Sequence, residues 1–307
     1  MQKKDLLLAV LVAAIWGTNY SVIEIGLSEL DPFLLTALRF ILCAVPLCFF
    51  IKKPEIKLRF VALYGFVFGV CLWGVANTSM FVGLPAGIAS LLLQFSALFT
   101  IMLSSIFLKE KIQFIQYIGM GIAIFGLVLV LYFTSNEYPI KGVVLIIISA
   151  FSWSICNIII KIGKPFRMLS FIIWSSLFSA FPLLIIAYII EGNTIFINLS
   201  YSIKGRAVFS LFFQVYVTTI FGYWVWNKLM KKYTASTIAP VSLLIPVFGL
   251  ITSHFISNEV ISFSKIISSS LIIFGMFILI YGVKIKEKFL NNHVAKANVY
   301  NPNDNKK

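Results

Sequence analysis

Ten stretches of mostly apolar sequence fill the chain from 6 to 283: 6–26, 32–51, 60–79, 86–108, 113–133, 142–161, 169–190, 207–227, 235–256 and 263–283. Each is close to the roughly 20 residues a helix needs to cross the hydrocarbon core of a bilayer. Lipid offers the backbone no hydrogen-bond partner, so such a stretch must satisfy its own N–H and C=O groups, and a helix does so. Composition agrees: 60% of the 307 residues are hydrophobic and only 12% are charged, against about 25% charged in a soluble domain. The chain therefore reads as an all-α integral membrane protein of ten transmembrane helices.

Most connections are short; 52–59 and the polar stretch 191–206 are the longer ones. Their charges are unequally shared. If successive segments cross in alternate directions, 20 of the 25 Lys and Arg fall on the side of Lys3 and Lys4, and four (Lys141, Lys204, Arg206 and Lys265) fall on the other. Cytoplasmic loops carry the excess of Lys and Arg, which places both termini in the cytoplasm. The net charge of +14 is thus a topology signal, and no nucleic-acid partner is expected. Lys3 and Lys4 followed by LLLAVLVAAIW imitate a signal peptide. The apolar run continues to Ile25 without a small-residue cleavage site, so the segment is expected to be retained. Cys43, Cys48, Cys71 and Cys156 all lie inside apolar segments without CxxC spacing, so neither disulfides nor a structural metal is expected.

The chain repeats itself. IAIFGLVLVLY at 122–132 matches LIIFGMFILIY at 271–281, an offset of 149 that also pairs Glu110 with Glu259 and Ala86 with Ala235. Ala13, Trp16, Ile23, Ile25 and Gly26 match Ala150, Trp153, Ile160, Ile162 and Gly163 at an offset of 137. Segments one to five thus recur as six to ten. Five is odd, so the copies insert with opposite orientation, giving two inverted five-helix repeats. The expected division is 1–137, 138–285 and a disordered cytoplasmic tail, 286–307. Inverted repeats with a substrate site near the midplane are a transporter architecture.

No phosphate-binding loop, dinucleotide fingerprint, HExxH or nucleophile elbow occurs. An enzyme is not expected, nor any catalytic residue, metal or cofactor. Polar groups inside spans are costly and mark functional positions. Trp16 and Asn19 in the first span, Gln94 in the fourth, Trp153 and Asn157 in the sixth, and Tyr223 in the eighth could line a cavity; interhelical hydrogen bonds or packing are the alternative. Trp224 and Trp226 read as interface anchors. Pro240 and Pro246 interrupt the ninth span around Ser242, and a helix broken in this way must face protein or a water-lined cavity. Arg39 is an intramembrane charge. It reads first as an ion pair with Glu24 bracing two spans, and second as a group that binds a carboxylate. His254 is a lone histidine near the end of the ninth span. Gly65 and Gly69 form a GxxxG for close packing within the chain or in a homodimer.

These strings resemble the EamA family of the drug/metabolite transporter superfamily over residues 5–285. The resemblance is carried by IWGTNYSVIEIGL and LRF, PAGIASLLLQ with FTIML, FLKEKI, AFSW, and TIAPVSLLIPVFGL. PAGIASLLLQ and APVSLLIPVFGL look especially like the members that export O-acetylserine and cysteine. The resemblance implies alternating-access export of small amino-acid metabolites. It also implies a central cavity built by spans 1, 3, 4, 6, 8 and 9, with Trp16, Asn19, Gln94, Trp153, Asn157, Tyr223, Ser242 and Pro246 toward substrate. Glu24 stands where the family pattern leads one to expect a basic residue. A carrier of drugs or nucleosides, or an importer, shares this architecture. A scaffold or receptor would not need a duplicated bundle of broken helices.

Overall fold

The computed structural model describes residues 1–133, 138–194, 203–233 and 241–299, and the regular structure among them is helical. In chain order the helices are α1 (Lys3–Leu27), α2 (Pro32–Cys48), α3 (Leu58–Phe81), α4 (Ala86–Phe107), α5 (Phe114–Phe133), α6 (Ile140–Gly163), α7 (Met168–Glu191), α8 (Gly205–Met230), α9 (Leu244–Ser257) and α10 (Phe263–Val299). Among the described residues eight of these are long and apolar enough to cross a membrane, and α2 and α9 are shorter apolar helices.

Local chemistry sets several boundaries. Asp31 caps α2, its Oδ1 accepting from the backbone N–H of Phe33 at 2.9 Å and Leu34 at 3.0 Å, and Pro32 occupies the first helical position, where its missing N–H costs nothing. The helix stops at Cys48 rather than 51, ahead of Lys53–Pro54, where proline disfavours helix for the residue before it. Gly83, at φ 107°, turns the chain from α3 into α4. At the other end α10 does not stop at 283. It continues to Val299, through much of the stretch expected to be a disordered tail, because the sequence after Tyr281 changes from apolar to charged without losing good helix formers. The expected start of the ninth span, with Ala235 and Pro240, lies outside the described residues.

The packing has the symmetry of the repeat. α5 lies along α10 and α2 along α7. α1 lies along α9 as α6 lies along α4, α8 along α1 as α3 along α6, and α3 on α7 as α8 on α2. Exchanging each helix with the one five later returns these same pairs. The contacts also show that the copies are inverted. Asp5, at the start of α1, holds Lys232 at 2.7 Å and Tyr233 at 2.6 Å just past α8. On that same end, Lys161 near the end of α6 meets Ser104 at 2.9 Å and Glu110 at 3.2 Å. The opposite end gathers Glu24, Ser257 and Glu259: the Ser257 hydroxyl donates to Glu24, and that of Ser253 donates to Glu259 at 2.5 Å. Glu110 and Glu259, equivalent in sequence, therefore sit at opposite ends. We call the end at which α1 starts the near end and the other the far end.

Glycines let backbones touch where the repeats meet. A Cβ on Gly17 of α1 would lie 2.5 Å from the Ile245 carbonyl oxygen of α9, and one on Gly275 of α10 would lie 2.4 Å from the Ala123 nitrogen of α5. Gly65 and Gly69 serve contact inside the chain, against Ser175 and Ser179 of α7. The Ser179 hydroxyl also donates to the Gly65 carbonyl at 2.7 Å.

Glu259 is 8% exposed. Burial holds its carboxyl above the ordinary value of 4.5, against the opposing influence of the Ser253 hydroxyl and of Lys265, whose Nζ is 3.8 Å away. The exposed His254 closes the same turn, its Nδ1 lying 2.8 Å from the Glu259 carbonyl oxygen.

Two outcomes follow from this packing. Gly275→Ala, which meets backbone, is expected to cost about 1–3 kcal/mol, read as a lowered unfolding midpoint in detergent. Gly121→Ala, with nothing within 4 Å, should cost nothing. The folded chain binds the Glu259 proton more tightly than the unfolded chain does. Its contribution is therefore complete below pH 4.5, the ordinary value, and is lost as pH rises through the raised folded value. The midpoint of the unmodified protein minus that of Glu259→Gln should accordingly fall as pH rises from 4.5; a difference independent of pH would remove this role.

Candidate functional site

The irregular backbone of the bundle is concentrated around one place. α3 widens into π-helix over Val67–Gly74, and its copy α8 does so over Phe213–Phe221. α4 tightens into a 3₁₀ turn at Leu93–Phe95. Leu243, immediately before α9, is likewise a turn, one residue from the position matching Leu93 at the repeat offset of 149. Such irregularities recur at functional sites. The Thr219 hydroxyl donates to the Gln214 carbonyl at 2.7 Å, five residues back, so a side chain supports the widened turn.

These segments surround a cavity of about 590 Å³, within the range of about 300–1,000 Å³ usual for small-molecule sites. Its wall takes Trp16, Asn19 and Tyr20 from α1, Arg39 from α2, Tyr64 and Trp73 from α3, Gln94, Ser96 and Ala97 from α4, Trp153, Asn157 and Ile160 from α6, Thr218, Tyr223 and Trp226 from α8, and Met276 and Ile280 from α10. Ser242, Leu243 and Ile245 complete the side of α9. Met168, Met230, Ile160 and Ile280 place the cavity in the near half. The far half is packed: the Ser210 hydroxyl of α8 donates to the Val22 carbonyl at 2.6 Å, Ser21 lies 3.4 Å from Thr252, and Gly249 accommodates Ser90.

The structure places Trp16, Asn19, Gln94, Trp153, Asn157, Tyr223 and Ser242 together on this wall. Pro246 is not on it; it is buried in α9, the helix that packs along α1. Trp16 donates from Nε1 to the Thr218 carbonyl at 3.1 Å, and its ring lies 5.3 Å from Tyr223 and 5.1 Å from Trp226. Trp226 is thus a cavity residue and not the interface anchor that its place near the end of the span suggested, whereas Trp224 is 52% exposed. The Asn19 Oδ1 accepts from the Thr218 hydroxyl at 3.0 Å, and Asn157 donates to the Thr100 hydroxyl at 3.0 Å.

The expected Arg39–Glu24 ion pair does not form. Glu24 is engaged by Ser257 at the far end. Arg39, 1% exposed, donates from Nη2 to the Thr219 hydroxyl at 3.2 Å and from Nη1 toward the Gln214 Oε1 at 3.5 Å. Its guanidinium lies 4.6 Å over the Trp73 ring and 5.6 Å from that of Phe40. A buried charge without an opposite charge costs several kcal/mol, and ring contacts of about 0.5–2 kcal/mol and neutral hydrogen-bond acceptors offset part of it. Gln214, 0% exposed, is ordered by a 2.9 Å bond to the Ser210 hydroxyl. Sequence reading missed Tyr20, Tyr64, Trp73 and Thr218. Trp73, inside a span, was the available signal; the others are too common in apolar segments to stand out.

The model of the EamA-like transporter family matches residues 3–132 and 140–281, one match for each repeat. The chain is 33% identical to a probable amino-acid metabolite efflux pump of Escherichia coli, over 92% of this chain and 97% of that one. It is 32% identical to a protein of the same description in Salmonella typhimurium, over 93% and 98%. A crystal structure at 16% identity superposes with a TM-score of 0.58, covering 91% of this chain and 96% of that chain, and supports the fold. Two matched repeats, a cavity between them and relatives of full length described as efflux pumps agree: the chain belongs to the EamA-like transporter family.

Proposed function

We propose that this protein is a secondary transporter that exports small amino-acid metabolites, of the size and polarity of cysteine and O-acetylserine, out of the cytoplasm across the bacterial inner membrane. It works as a carrier and not as an enzyme. The observation that carries the reading is the cavity itself. It lies between two inverted copies, combines amide and aromatic groups, and is closed on the far side by packing. The family relatives described as amino-acid metabolite efflux pumps support the cargo class.

In this reading the near end faces the cytoplasm and the cavity is loaded from there. Release requires the far layer, in which α1 meets α9 and Glu24 meets Ser257, to part while the near side closes over the cavity. Rocking of one copy against the other accomplishes both at once. Asn19, Gln94 and Asn157 supply the oriented polar groups, and Trp16, Trp153 and Tyr223 provide apolar faces that shape the space. The lysine excess on the near side agrees with a cytoplasmic near end.

In vesicles reconstituted with the full chain, radiolabelled O-acetylserine or cysteine is expected to exchange faster than in empty vesicles; no flux for either, or for a wider amino-acid panel, overturns the proposal. Gln94→Ala and Asn157→Ala should each lower transport about two- to tenfold, the worth of one polar contact of about 0.5–1.5 kcal/mol, at unchanged membrane abundance. A matching fall in abundance would assign them to packing instead.

A further inference from the structure

We propose that Arg39 is the anchor for a carboxylate on the transported molecule, and that the site demands this carboxylate but not a free amine. Arg39 is buried, lines the cavity and belongs to none of the ion pairs among the described residues, which join Lys161 to Glu110, Lys232 to Asp5 and Lys265 to Glu259. Its Nε has no hydrogen-bond partner among the described residues, nor do Trp73 Nε1 and Gln94 Nε2. All three are N–H donors, and all three residues line the same cavity. Buried donors are nearly always paired, so three unmet ones converging on one space point to a ligand rich in acceptor oxygens.

The charge balance agrees. Among the described residues that line the cavity none is Asp or Glu, so its field is set by the guanidinium. The Trp73 ring under the guanidinium and the Gln214 and Thr219 oxygens on its Nη atoms hold the plane in place. A planar, pre-positioned fork of donors matches the two oxygens of a carboxylate better than any single-point anion contact. A bracing arginine would have taken up Glu24, and Glu24 is committed to Ser257 instead. An ammonium group finds no carboxylate in the cavity and must rest on aromatic faces such as Trp16, Trp153 and Tyr223, an interaction the molecule can lose. Amine-blocked acids should therefore bind as well as zwitterions, while amides and esters should not.

The inference rests on the transport reading only for the identification of the ligand as cargo; the site itself is tested by binding. Purified full-length protein in lipid nanodiscs would be titrated with O-acetylserine, N-acetylserine, serine amide and serine methyl ester, following tryptophan fluorescence. Saturable changes are expected for both acids, with the amide and ester weaker by tenfold or more, on the order of 1.4 kcal/mol. Arg39→Gln should abolish the difference between acid and amide, and Arg39→Lys should restore it in part. If the Gln variant does not fold, the four-ligand panel on the unmodified protein decides alone. Equal binding of acids and amides, or no saturable binding of either acid, overturns the proposal. Acid-selective binding without flux in vesicles would sustain the carboxylate site and overturn export.

Discussion

A helix in lipid cannot leave a backbone group unpaired, and among the described residues the π and 3₁₀ turns lie where other protein covers them. The π stretches of α3 and α8, the 3₁₀ turn of α4 and the turn before α9 all border the cavity. The lipid-facing α5 shows no such interruption. Irregular backbone is permitted at membrane depth where it is buried in protein or borders a cavity, and it repositions side chains. Trp73 lies in one widened segment, Gln214 and Thr219 in the other, and Gln94 in the tightened one. The constraint that makes the outside of the bundle regular thus concentrates polar variety inside.

Much of this was legible because it depends on composition over long windows. Spans follow from apolar length and the repeat from self-similarity, and Trp16 with Trp153 announced a matched pair of wall residues. Side-chain direction was less legible. Trp226 and Trp224 are two residues apart near the end of one span, and only the rotation of α8, altered by its π stretch, sends the first inward and the second outward. Arg39 misled for a related reason. Glu24 was the nearest acid by span and depth, but partner choice is set by interhelical geometry, and Ser257 lies closer to Glu24. The helix that continues α10 to Val299 was obscured because loss of hydrophobicity marks the end of a membrane segment without marking the end of a helix.

The two copies have kept their scaffold and diverged in their chemistry. At the near end Lys161 meets Glu110 and Ser104. At the far end the positions matching Lys161, Glu110 and Ser104 are Glu24, Glu259 and Ser253, so an attractive pair has become two acids, each held by a serine hydroxyl. The inward walls differ as well. Gln94 of α4 corresponds to Leu243 beside α9, so one copy supplies an amide where the other supplies a hydrocarbon face. A site built from unequal halves can hold a ligand whose own two ends differ.

The glycine seam between α5 and α10 has a mechanical consequence. Gly119 and Gly126 of α5 and Gly275 of α10 bring main chain against main chain, and each of these helices closes its own repeat. The copies are therefore joined at their outer margins by a contact in which main chain meets main chain at these glycines. Such a contact resists separation and sliding more than it resists a change of angle, which gives the molecule the mechanics of a hinge with its leaves folded toward the cavity.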